Sequence, residues 1–108
     1  MATGRLGVAN ITTTADTSVY TCPTSTFAVV TVSVCNRGAS AVNVRLALSA
    51  SGTPALTEYL EFDTSLAAKG VLERTGIVMD ASKQLIVTSS TASPTLSVVV
   101  YGIETTTV

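Results

Sequence analysis

Residues 27–48 read FAVVTVSVCNRGASAVNVRLAL, and this stretch constrains the fold more than any other. In its first half Ala28, Val30, Val32 and Val34 fall on one face, and Val29, Thr31, Ser33 and Cys35 on the other. In its second half Val42, Val44, Leu46 and Leu48 share a face opposite Asn43, Arg45 and Ala47. Alternation of period two over this length marks strands with one face buried. Asn36-Arg37-Gly38 between them supplies residues that tolerate positive φ, so we expect the two runs to fold back as a hairpin.

The rest of the chain repeats this pattern with turn signals every 8–12 residues. Arg5–Thr13 reads as a strand with Leu6 and Val8 on one face and Ala9 and Ile11 on the other. Ser18–Cys22 is a short strand ended by Pro23, which cannot donate to a ladder. Leu56–Leu66 fits a helix at Leu56, Tyr59 and Leu60, but the helical spacing fails at Asp63 and Thr64, so we read a strand. Val71–Met79 is a strand in which Gly76 points to a bulge. Gln84–Thr88 and Leu96–Ile103 are the last strands, and Glu104–Val108 has β propensity without an evident partner. About eight short strands and no helix in 108 residues predict one domain, an all-β antiparallel sandwich of jelly-roll or immunoglobulin-like type. The expected core includes Val30, Val32, Val34, Val44, Leu46, Leu85, Val98 and Val100.

Charged residues make up only 12 % of the chain and the net charge is −1. A nucleic-acid-binding surface needs a basic face, so no nucleic acid is expected. No run of 18 apolar residues offers a membrane span, and the first ten residues lack the apolar core of a signal peptide. We therefore expect synthesis in the cytoplasm. A surface this short of charge is either polar but uncharged or a face that packs against neighbouring subunits; we favour the second. Cys22 and Cys35 are the only cysteines. They read as reduced thiols, with a bridge between neighbouring strands as the alternative that geometry decides.

Catalytic chemistry is thin. Histidine is absent, which removes the usual Ser-His and Cys-His arrangements and the commonest zinc ligand. No phosphate-binding glycine loop is present. Glu61 and Asp63 would share a strand face, as a cation site or carboxylate pair, but nothing else converges on them and a solvated edge is the simpler reading. Ser82-Lys83 reads as a polar turn rather than a dyad. Glu73 and Arg74 sit inside an apolar strand, so one of them points inward or across an interface, or the two make cross-strand pairs on the open face. Tyr59, Phe62 and Tyr101 are read as packing residues. We expect no enzyme activity, no metal and no cofactor.

The run YLEFDTSLAAKGVLERTGIVMDASKQLIVTSS, the closing LSVVVYGIE and the earlier Cys35-Asn36-Arg37-Gly38 turn before a Val-rich strand resemble small virion structural proteins of tailed bacteriophages, of the marine and cyanobacterial type. The similarity covers most of residues 9–104. It implies a β-sandwich located in the virion, made in the host cytoplasm and without an active site. It implies a capsid decoration or cement protein, a homotrimer at local three-fold positions bound to the major capsid protein. The alternatives are a tail, neck or fibre subunit and, in another class, a cell-surface binding module. Free strand edges with six Lys and Arg in all to blunt them point to assembly by strand addition. The terminal segments, with Arg5, Leu6, Val8, Glu104 and Val108, are the candidates for it.

Overall fold

The computed structural model describes residues 2–107. Eight strands follow in order: β1 (Thr3–Ile11), β2 (Thr17–Thr21), β3 (Thr26–Asn36), β4 (Val42–Ser49), β5 (Tyr59–Leu66), β6 (Val71–Met79), β7 (Gln84–Ser89) and β8 (Leu96–Thr106). They form two four-stranded antiparallel sheets. Sheet A has the order β1-β8-β3-β6 and sheet B the order β2-β7-β4-β5. The all-β sandwich expected from the alternation is therefore what the chain adopts.

The pairings are nested. β1 pairs β8, β2 pairs β7, β3 pairs β6 and β4 pairs β5. The chain is thus one long antiparallel ribbon with its tip between β4 and β5. Folding that ribbon over adds the cross-pairs β3·β8 and β4·β7 and gives the strand order of a jelly roll.

This corrects the expected hairpin at residues 36–38. β3 and β4 lie in different sheets, and none of Asn36, Arg37 and Gly38 adopts positive φ. Alternation fixes which face of a strand is buried, and it leaves the identity of the neighbouring strand open. What carries the chain across is the Asn36 side chain, fully buried at the end of β3. Its Nδ2 donates to the carbonyls of Ser40 at 2.9 Å and of Leu66 and Ala67 at 3.2 Å, while its Oδ1 accepts the Gly38 N–H at 2.9 Å. One amide ties the β3–β4 crossing to the end of β5.

The core forms where the central strands of the two sheets face each other. All eight expected core residues are at most 1 % exposed. Val30, Val32, Val34, Val98 and Val100 come from sheet A, and Val44, Leu46 and Leu85 from sheet B. Gly76 has a φ of +69° and sits in a bulge opposite β3, between the Val30–Ile77 and Val32–Arg74 pairs, as its position inside a strand run predicted. Residues 56–58 form a single 3-10 turn, so the strand expected from Leu56 begins only at Tyr59.

The tail expected to lack a partner has one. β8 continues to Thr106, with Ala28 opposite Glu104 and Thr26 opposite Thr106, and the Thr107 N–H donates to the Ser25 carbonyl. At the other terminus the Ala2 carbonyl accepts the Glu104 N–H. Both terminal segments are integral to sheet A within the described residues.

Candidate assembly surface

The acidic side chains hold separate hydrogen-bond partners. Glu61 and Asp63 do not share a site: Asp63 adopts a φ of +53° in an irregular stretch of β5, which turns the two carboxylates apart. Asp63 accepts two hydrogen bonds from Arg45, at 2.7 and 3.2 Å, and one from the Ser90 hydroxyl at 2.8 Å. The Arg45 bonds first, then that of Ser90, hold the Asp63 carboxyl below the usual range. Glu61 instead accepts from Arg74 of β6 and from the Thr64 hydroxyl, each at 2.7 Å. Among the described residues no group of three or more His, Cys, Asp or Glu gathers as metal ligands would. Ser82 and Lys83 lie in a turn, where Lys83 pairs with Asp80 at 3.0 Å.

One of those pairs closes the sandwich. β5 and β6 are the edges of the two sheets on one side, and the Glu61–Arg74 ion pair joins them. On the opposite side Tyr20 of β2 donates to Glu104 of β8 at 2.5 Å. Burial first, then the bond to and charge of Glu104, push the Tyr20 hydroxyl well above its ordinary pKa, so it stays protonated and donating. Sequence reading did not find this latch. Tyr20 and Glu104 are 84 positions apart, and no local pattern joins them. Of the Glu73–Arg74 pair, Arg74 is the one that reaches across to the other sheet. Glu73 stays on the open face and accepts the Tyr101 hydroxyl at 3.1 Å.

Phe62 and Tyr101 are not in the core, contrary to the packing role expected of them, and Tyr59 is only half-buried. Phe62 is 51 % and Tyr101 39 % exposed. Phe62 carries the Arg45 guanidinium 4.1 Å above its ring and meets Tyr59 edge-on at 4.9 Å. Tyr101 lies on the outward face of sheet A, opposite Arg5 and Thr31. Cross-strand rows run across this face. Thr3, Ile103, Val29 and Val78 make one row, and Val8, Val99, Ser33 and Glu73 another. Val8, Phe27, Val71, Val78 and Ile103 are all at least a third exposed. Scattered exposed apolar residues are ordinary, but a contiguous apolar sheet face is the mark of an interaction site.

The candidate assembly residues divide across this frame. Arg5 and Val8 are exposed on β1, an edge strand of sheet A. Leu6 is turned inward by a β1 irregularity between Arg5 and Gly7 and packs against the core. Glu104 belongs to the Tyr20 latch. Val108 lies outside the described residues.

The cysteines are both free thiols, Cys22 buried and Cys35 half-buried on the outward side of β3. The open alternative of a bridge is thereby closed. A hollow of about 380 Å³ lies between the β3–β4 and β7–β8 connections, lined by small uncharged residues such as Ala39, Ser40, Ser93 and Thr95.

No protein-family model, no curated protein and no solved structure matches this chain.

Proposed function

We propose that this chain is a non-enzymatic structural subunit of a phage virion, acting as a head decoration or cement protein. The observation that carries the structural part is the charge-poor outward face of sheet A, where exposed Val8, Phe27, Val71, Val78 and Ile103 stand among hydroxyl-bearing residues and which a chain working alone would be expected to cover with charge. The acids support the non-catalytic part: Glu61, Asp63 and Asp80 each hold a basic partner, Glu73 and Glu104 a tyrosine hydroxyl. The virion part rests on the sequence resemblance. Jelly rolls also build viral shells, an analogy at the level of fold that adds weight without assigning a role. A cement protein works by mass action: it binds the assembled shell and not its free subunits, so it shifts the equilibrium toward the shell.

A second reading, a tail or fibre subunit facing a receptor, draws on the exposed Phe62–Arg45 stack at the edge of sheet B. Image reconstruction of particles from the source, with this chain labelled, separates the two. Copies over the whole shell support decoration, and stripped heads should then regain thermal stability when the protein is added back. A few copies at one vertex would replace decoration with the tail reading. Absence from the particle would overturn both.

A further inference from the structure

We propose that the outward face of sheet A binds a second copy of this chain, face to face, about a two-fold axis running parallel to the strands. Two charges project from the strands of this face, at its opposite edges, and the Arg37 guanidinium is held by the Asn10 side chain where β1 ends. Arg5 projects from β1, exposed, with no ion pair among the described residues. Glu73 projects from β6 and holds the Tyr101 hydroxyl on Oε2; a carboxylate accepts at both oxygens. Between the two edges the surface is apolar or hydroxyl-bearing.

That distribution is self-complementary in one arrangement. A two-fold axis along the strands lays β1 of each copy over β6 of the other, and β8 over β3. Arg5 of each copy then faces Glu73 of the other, twice over. The Arg5 row meets β3 at Thr31 and the Glu73 row meets it at Ser33. The offset is thus two residues, roughly 7 Å along the strand and 10 Å across the gap between packed sheets. Extended arginine and glutamate side chains span it together. Ile103 of each copy lies over Val29 of the other, and the apolar rows bury each other. An axis perpendicular to the strands would set β1 on β1 and leave both charges unpaired.

The size of the face suits such a pair. Four strands of nine to eleven residues make a surface roughly 19 Å by 30 Å. Two such faces remove on the order of 1,100 Å² in projection, above the roughly 1,000 Å² that a specific interface needs. The arrangement leaves sheet B and both loop ends of each copy free. It rests on the assembly reading given above but not on the virion reading, and it commits to two-fold symmetry where the phage resemblance implies three-fold.

Cys35 reports on this interface directly, because it lies on the proposed contact face while Cys22 is buried in the core. The experiment is sedimentation velocity on the full chain up to roughly 100 μM, a range that covers interfaces of this size, with Cys35 labelling by a thiol reagent at each concentration. The expected results are a dimer of twice 11.0 kDa and a Cys35 labelling rate that falls tenfold or more as the dimer forms. Arg5→Glu and Glu73→Arg should each weaken dimerisation at least tenfold, and the double reversal should restore it. A monomer throughout, a trimer, or a dimer in which Cys35 still labels freely would each overturn the proposal. So would single reversals without effect. A monomeric Ile103→Lys variant that still occupies particles would overturn the dimer as the working unit and leave the virion reading standing. Dimers absent from particles would do the reverse.

Discussion

Replacing Asn36 should damage the fold more than its place in an apparent turn suggests. Its amide serves three carbonyls and accepts one N–H. In Asn36→Ala all four groups lose that partner. The Leu66 carbonyl bond is buried and the other three are only partly so, which lets water replace them at less cost. A buried group left unsatisfied costs about 1–3 kcal/mol and an ordinary net hydrogen bond about 1, so the sum comes to about 2–4 kcal/mol after water has taken up part of the loss. For a domain of this size that lowers Tm by about 10–20 °C. Asn36→Asp keeps the shape and reverses the chemistry, setting a carboxylate against three carbonyl oxygens. At neutral pH it should be less stable than Asn36→Ala. Its pKa is then raised in the folded state, so the folded state holds more protons than the unfolded one above the ordinary carboxylate value of about 4. Stability of that variant should accordingly fall as pH rises through this window, whereas Asn36→Ala should show no such slope from this site. Denaturant melts at two pH values measure both effects. An Asn36→Ala protein within about 0.5 kcal/mol of wild type, the range of an ordinary surface change, would refute the reasoning, and so would an Asn36→Asp protein as stable as Asn36→Ala at neutral pH.

Three further outcomes follow from the structure. Leu46→Ala removes a fully buried side chain between the sheets and should cost about 2–4 kcal/mol, read from the denaturant midpoint. Gly102→Ala would put a Cβ 2.1 Å from the Val29 carbonyl oxygen and 2.8 Å from the Val30 Cα, on the central β8–β3 ladder; we expect a loss of about 1–3 kcal/mol or more. Gly52→Ala, whose nearest contact would be 4.0 Å away, serves as the control and should stay near wild type. The Glu58 carboxyl accepts from the Ala55 N–H at 2.7 Å, the Ala50 N–H at 3.0 Å and the Ser49 hydroxyl at 2.9 Å, and these bonds, Ala55 first, lower its pKa from 4.5. Its contribution is therefore complete above the unfolded value and lost as pH falls through the lower folded one. Limited proteolysis within residues 50–58 should rise over that acid range in wild type and be already raised at neutral pH in Glu58→Gln.

The strands themselves were legible because alternation is a local property. Val30, Val32 and Val34 must share a face whatever they pair with, and so must Val44 and Leu46, so the buried set and the all-β class could be read before any contact was known. The bulge at Gly76 was legible for the same reason, since a glycine inside a strand run advertises its own backbone freedom. Neighbours were not legible. β3 meets β8 and β6 instead of the strand that follows it, because pairing depends on which ribbon the whole chain can close, and the Asn36 amide that sends the chain across acts on residues 30 positions away. The aromatic residues misled for a related reason. Phe62 and Tyr101 look like core residues by hydrophobicity, yet their place in the register turns them outward. The charge-poor composition implied a surface that packs against something. Only the tertiary structure gathered the apolar residues onto one face of sheet A, with Arg5 and Glu73 at its two edges, because a sheet face is assembled from strands far apart in the chain.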